Sequence, residues 1–399
     1  MSFAPVAAPR AGTVWRAAIA GLCALLLANG LGRFGYTPLI PALIENGWFS
    51  AEQADYLGAI NLTGYLLGAI TARRATQYVS APSLIVVAMA IGSITFFACA
   101  FKLGFEWYFV WRMLSGVMGG WLMVLTASTV LAHPPRNRIG LIGGIIFAGV
   151  GIGIVMSGTM VPALVRFGLR EAWLGFGLVG AALTVAAMVC MPRHIPVTVG
   201  KPSPGTGKGS LSVAIVLLLV YYGFHGIGLV PHTVFWVDYI VRGMEKSLSV
   251  GGYYWVIFGL GAVFGPPLTG VLADRVGFKR SLTLSALVMT IGVGLPVISD
   301  GTFALAASSL LVGGVSIGFA SLVAGRVSEL VAPDVHRQVW GWMTIAFSVG
   351  QAGGAFALSF LFDRTGSFTS VFAIGAVVLA GGLCLTMVGP GGGRQVRRV

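Results

Sequence analysis

The chain has 399 residues, of which 56% are hydrophobic and only 9% charged, with a mean hydropathy of +0.90. A soluble globule of this length would carry far more charge on its surface, so the composition excludes one and places the chain in a lipid bilayer. The net charge of +13 does not indicate nucleic acid as a partner, because the basic residues fall in short loops between apolar runs, where they set orientation.

A hydrocarbon core of about 30 Å needs about 20 apolar helical residues. On that measure the sequence predicts twelve spans, at 15 to 43, 54 to 72, 82 to 101, 105 to 132, 139 to 164, 172 to 191, 211 to 238, 250 to 273, 280 to 299, 302 to 326, 338 to 362 and 368 to 389. Arg10 and Arg16 precede the first stretch as in a signal peptide, but the stretch runs on to Leu43 without a clean A-x-A site, so a retained helix is expected. Residues 192 to 210 carry four prolines and four glycines with no apolar period. They are expected to be a linker between two six-helix halves, residues 1–191 and 211–399.

An even number of spans puts both termini on one side. Most of the 25 basic residues fall on that side, whereas the other has only Lys102, Arg166, Arg170, Arg242, Lys246 and Arg364. The termini and linker are therefore expected in the cytoplasm of a bacterial-type inner membrane. Arg33 and Arg112 are the two basic residues left within spans. Cys23, Cys99, Cys190 and Cys384 lie singly in apolar segments and read as small buried hydrophobes, not as metal ligands or disulfides.

In the first span, Asn29, Arg33 and Tyr36 or Thr37 recur at helical spacing, which would put them on one face. Arg33 falls at the level of the outer third of the membrane. Its Cα–Cβ bond would tilt it inward, the alternative being a side chain that snorkels to the outer headgroups. The second span contributes Asn61 and Tyr65. Arg112 in Trp111-Arg112-Met-Leu-Ser115-Gly116 opens the fourth; an arginine there costs roughly 2.5 to 3.5 kcal/mol, so it faces a polar interior or pins neighbouring carbonyls. The fifth span is rich in glycine, which lets helix backbones approach closely.

Span seven carries Tyr221, His225, His232 and Trp236 on one predicted stripe. A neutral imidazole is tolerable there, and each histidine is a proton-coupling candidate, the alternative being a histidine bonded to a neighbouring helix. Gln351 in span eleven is a further polar candidate. Asp55, Glu106 and Asp238 lie near the outer ends of spans, so no carboxylate is expected at mid-membrane. That argues against a carboxylate proton site, and with Arg33 and Arg112 as the fixed charges the centre should favour organic anions or zwitterions.

After span eight comes the densest cluster of charge, Gly270-Val-Leu-Ala-Asp274-Arg275-Val-Gly277-Phe-Lys279-Arg280. Its glycines permit close packing and a tight turn, and its basic trio suits a cytoplasmic face. It falls opposite Gly68-Ala-Ile-Thr-Ala72-Arg73-Arg74 when the halves are overlaid, as Ala132 to Arg136 falls opposite Ala332 to Arg337 and Arg166-Phe-Gly168 opposite Arg364-Thr-Gly366. Three such matches in order indicate an internal repeat, a mark of secondary transporters.

The Gly270 to Arg280 run resembles the signature loop of major facilitator superfamily transporters, and the Arg112 and fifth-span motifs are similar to others of that superfamily. The strings Gly32-Arg33-Phe34-Gly35-Tyr36-Thr37-Pro38 and Tyr56 to Gly68 resemble its YbfB/YjiJ-type branch. The resemblance implies an all-α fold of twelve transmembrane helices in two pseudo-symmetric bundles. It also implies that Asp274 latches the cytoplasmic side, facing the start of span eleven with Arg275 or Arg337 as its partner. In the first half Ala72 replaces the aspartate and Ala75 the second glycine, so that latch is weakened.

No nucleotide site is present, since Gly205 to Ser210 lacks the Walker spacing, and no metal-ligand cluster or nucleophile with a base points to an enzyme. The expected protein is a monomeric secondary transporter without a cofactor, moving a small organic anion or zwitterion by alternating access, with proton coupling open. The alternatives are a drug or metabolite efflux pump of the same fold and, from another class, a membrane enzyme or receptor.

Overall fold

The structure is a computed structural model and describes residues 11–130, 139–191, 212–331 and 333–388. The expected linker and the chain termini fall outside the described residues. Among the described residues the chain is helical and has no strand. Among the described residues ten helices are long and apolar enough to cross a membrane, and a bent pair, Thr302–Ser316 with Phe319–Leu330, makes an eleventh when taken as one span. The twelfth expected span is α3 (Ala51–Ala75), a 25-residue helix with a more polar sequence. Apolar side chains such as Leu178, Val185, Leu268 and Val377 face outward, as a lipid-facing surface requires.

The first half consists of α1 (Ala11–Leu25), α2 (Leu39–Glu45), α3, α4 (Ala81–Cys99), α5 (Phe105–Val130), α6 (Ile139–Val165) and α7 (Leu169–Cys190). The second consists of α8 (Val213–Val230), α9 (Trp236–Asp238), α10 (Leu248–Val276), α11 (Phe278–Ile298), α12 (Thr302–Ser316), α13 (Phe319–Leu330), α14 (Pro333–Thr365) and α15 (Phe368–Val388). Packing repeats between them. Helix α3 lies on α5 as α10 lies on α12, α4 on α7 as α11 on α15, and α1 on α6 as α8 on α14. The halves meet through two antiparallel pairs, α3 with α14 and α6 with α10.

Backbone proximity explains the glycines. A Cβ on Gly116 would lie 2.1 Å from the Asn61 carbonyl, and one on Gly313 would lie 2.1 Å from the Phe258 carbonyl. Each half thus uses a glycine in the same helix pair to bring two backbones together, without hydrophobic drive between helices in lipid.

The first span departs from the expected single helix. It runs as α1, a π-helical turn at Leu26–Leu31, a short 3-10 turn at Phe34–Tyr36, and α2, with Pro38 as the residue preceding α2. The cause is tertiary. A Cβ on Gly30 would lie 2.7 Å from Gly153 Cα, so this stretch is pressed against α6. The second half is interrupted at the matching place, by π-helical turns at Pro231–Phe235 and Tyr239–Gly243 on either side of α9. Proline at 231 lacks the N–H that a regular helix would use there.

Candidate functional site

The two interrupted segments face each other across the interface between the halves. Between them lies a small cavity lined by Arg33, Tyr36, Ile40, Gly58, Asn61, Leu62 and Arg112 from the first half and Thr233 and Val234 from the second. It has room for about one water molecule, so the two halves are closed together at this point. Thr37 Oγ1 donates to the Thr233 carbonyl, tying the two broken segments together.

Arg112 is 2% exposed. Its Nη1 donates to the Gly32 carbonyl at 2.9 Å, and its guanidinium carbon sits 4.0 Å from the Tyr36 ring centroid. Asn61 Nδ2 donates to the Arg112 carbonyl at 3.0 Å, and the Tyr36 hydroxyl donates to the Ala54 carbonyl at 3.0 Å. Arg33 lies over Phe34 and Tyr65, at 4.9 Å and 5.4 Å, and turns inward to the cavity. Arg33 Nε and Arg112 Nε are both buried donors without an acceptor. Two guanidiniums therefore line one small space with a donor each to spare, and among the described residues no carboxylate forms a salt bridge with either. Burying such charges is costly unless something pairs with them.

Of the predicted site residues, Arg33, Tyr36, Asn61 and Arg112 come together at this cavity, with Tyr65 behind Arg33. Asn29 does not join them. The π-helical turn takes more residues per turn than an α-helix, which rotates Asn29 out of the expected i, i+4 register with Arg33, and Asn29 Nδ2 instead approaches Met123 Sδ at 3.8 Å.

His225 also lies elsewhere. It is 1% exposed and stacked 3.9 Å from the Phe319 ring centroid, with Tyr222 and Phe347 beside it. Its predicted stripe neighbour His232 bonds Ser308 at 2.8 Å and stacks on Trp236 at 4.4 Å. The interrupted helix sends the two histidines into different aromatic clusters of the second half, so neither lines the cavity. Gln351 is buried and unpaired at Nε2, also away from the cavity lining. Sequence reasoning missed Thr233 and Val234, and also Tyr222, whose hydroxyl is within electrostatic reach of Arg33 and Tyr65.

The charged loop after α10 behaves as a turn, with Gly277 at φ +84°, a conformation that favours glycine. Gly270 has open space about it. Asp274 and Arg275 are both exposed and make no ion pair with each other, because adjacent helical residues point about 100° apart. Arg275 is therefore not the partner of Asp274 in this conformation, and the Arg337 side chain lies outside the described residues. Arg280 is exposed, and Lys279 lines a wider hollow at the same end with Arg326, Tyr221 and several leucines.

The carboxylates differ most from expectation. Asp55 and Asp238, placed by the sequence near span ends, are both 0% exposed. Asp238 accepts two hydrogen bonds from Arg242, that from Nε at 2.5 Å, whereas both Asp55 oxygens are buried without a partner.

Two opposed bundles of membrane helices, repeated in packing and closed over a cationic cavity at their interface, define a transporter of the major facilitator fold. Residues 25–387 match the family model described as "Uncharacterised MFS-type transporter YbfB", and the chain belongs to that family. Among curated proteins it is similar to a gallate transporter of Pseudomonas putida, 22% identical over 395 residues, covering 88% of this chain and 82% of the relative. A gentisate transporter of Corynebacterium glutamicum is 20% identical over 352 residues, covering 83% and 77%. The multi-drug resistance efflux pump PmrA of Streptococcus pneumoniae is 26% identical over 267 residues, covering 62% and 65%. Among solved structures, the nucleoside transporter NupG shares the fold, with a TM-score of 0.76 over 94% of this chain and 99% of that one at 14% identity.

Proposed function

We propose that the chain is a secondary active transporter of small aromatic carboxylates, which bind between Arg33 and Arg112. The observation that carries this reading is the pair of buried, acceptor-less Nε donors on one cavity, each guanidinium lying on an aromatic face. A carboxylate would offer an acceptor to both Nε donors and offset one of the two charges, and Tyr36, Tyr65 and Phe34 offer surfaces for a ring. Gallate and gentisate, named for two of the relatives, are hydroxybenzoates and fit that description. An organic cation would meet uncompensated positive charge, which disfavours a multidrug role.

The working cycle is alternating access between a half comprising residues 1–191 and one comprising 211–399, joined by 192–210. The lack of room in the cavity supports this, because a ring can enter only when the halves part. The excess of basic residues on the side of the termini supports a cytoplasmic placement of that side in the plasma membrane. One chain supplies both walls of the cavity, so a monomer suffices. Neither an enzymatic step nor nucleic acid has a part in this reading. Uptake of labelled hydroxybenzoates into proteoliposomes tests it: competition by carboxylates but not by the matching amides or by organic cations is expected, and preference for cations would contradict it.

A further inference from the structure

Asp55 is the feature that the solute reading leaves unexplained. The capping box of Ser50 with Gln53 fixes the start of α3, which puts Asp55 early in the helix on the face towards the second half. The register can be followed from one contact. A Cβ on Gly58 would lie 3.5 Å from Val234 Cγ1. Asp55 lies about one turn before Gly58, and Asp238 about one turn after Val234. The two segments run in opposite directions across the membrane, so Asp55 and Asp238 are brought level. In agreement, Asp55 is within electrostatic reach of Asp238 and Arg242.

Of the other charged and titratable groups near this point, half-buried Tyr56 packs on Phe356 of α14, and the rest are engaged elsewhere or exposed. The Tyr36 hydroxyl is bonded to the Ala54 carbonyl, Arg112 on α5 is held on Gly32 and Tyr36, and Tyr108 bonds the Cys99 carbonyl. Glu45 at the end of α2 acts on Arg242, and His232 is bonded to Ser308. Glu52 on α3, Glu106 on α5, and Asp363 and Arg364 on α14 are exposed. Two buried carboxylates, one from each half, therefore lie near one partly exposed guanidinium, which gives two of its hydrogen bonds to Asp238.

We propose that Asp55 is a proton-binding site whose occupancy closes the side of the protein opposite the termini. With a proton on Asp55 these three groups are neutral overall, and the halves can meet without water. Loss of that proton leaves an unpaired carboxylate beside Asp238, which is relieved when the halves separate and water enters. The site lies one turn from Gly58 in the cavity wall, so the same parting that hydrates Asp55 exposes Arg33 and Arg112. Closure thus takes up a proton and opening releases one. The inference rests on the alternating-access reading, but not on the identity of the solute.

The test needs no solute. In full-length protein with Cys384→Ser, spin labels at Glu52→Cys and Lys246→Cys, exposed positions on the two halves, report the gap between them in proteoliposomes. The expected result is a short distance at pH 5 and a growing fraction of longer distances towards pH 8. Asp55→Asn, which cannot lose a proton, should stay short throughout. Asp238→Asn should also stay short, because Arg242 is then free to pair with an ionised Asp55. A short distance at pH 5 in both variants shows that they are folded. Opening of Asp55→Asn with the wild-type pH dependence, or no pH dependence in the wild type, overturns the proposal. If the gate behaves as expected while no hydroxybenzoate is transported, it is the solute reading that fails.

Discussion

Arg112 lies 4.0 Å from the ring centroid of Tyr36 while donating at 2.9 Å to the carbonyl of Gly32, so one side chain from α5 holds the broken first span on both sides of Arg33. The broken backbone frees a carbonyl that a regular helix would engage, and the arginine supplies its donor. Pinning and solute binding are compatible, since Nε remains without an acceptor.

Arg112→Ala removes the charge-assisted hydrogen bond and the cation–π contact. It should lower stability by about 2 to 5 kcal/mol, read as a fall in detergent melting temperature. Arg112→Lys keeps the charge but not the planar fork, and should recover less than half of that loss. Full recovery by lysine would mean that charge alone fixes the turn.

Glycine pairs give a test of the backbone packing. Gly116→Ala would set a methyl 2.1 Å from the Asn61 carbonyl and should cost about 1 to 3 kcal/mol, seen by thermal melting. Gly144→Ala, with nothing within 4 Å, should be neutral or stabilising by up to about 1 kcal/mol. Equal effects at the two sites would contradict the close approach of α3 and α5.

His225 is a proton candidate on sequence grounds alone. Stacked on Phe319 and outside the cavity lining, it should be replaceable by phenylalanine. The His225→Phe variant is expected to keep the pH profile of transport, measured in proteoliposomes from pH 5 to 8. A flattened profile would return the coupling role to this histidine.

The sequence carried the architecture because lipid imposes it: apolar runs of sufficient length must be helices, and basic loops separate them. Arg33, Tyr36, Asn61 and Arg112 were legible as a group, since polar residues in such runs need a shared interior. Other features depended on contacts between segments far apart in the chain. The interruption at Leu26–Leu31 reflects the approach of Gly30 to Gly153, which no local pattern reveals, and it is what removes Asn29 from the site. Thr233 and Val234 enter through a matching interruption in the second half. Asp55 looked peripheral because it stands near a helix start, yet the opposing half covers that end. An acid near a span end reads as solvated only when nothing packs over it.

The two arginines are predicted to act differently on solute and on structure. Arg33, without a protein hydrogen bond to lose at Nε, should tolerate substitution by glutamine with a change in melting temperature of no more than about 2 °C, corresponding to less than about 1 kcal/mol. A larger fall would show that Arg33 is a structural strut.

The most direct test of the central claim is the binding of a hydroxybenzoate to purified wild-type protein and to Arg33→Gln by calorimetry. Loss of one charged hydrogen-bonding partner should weaken the affinity about 10- to 100-fold, while the corresponding hydroxybenzamide binds both proteins equally weakly. Wild-type affinity for the carboxylate in a folded Arg33→Gln protein would contradict the assignment of the cavity as the anion site.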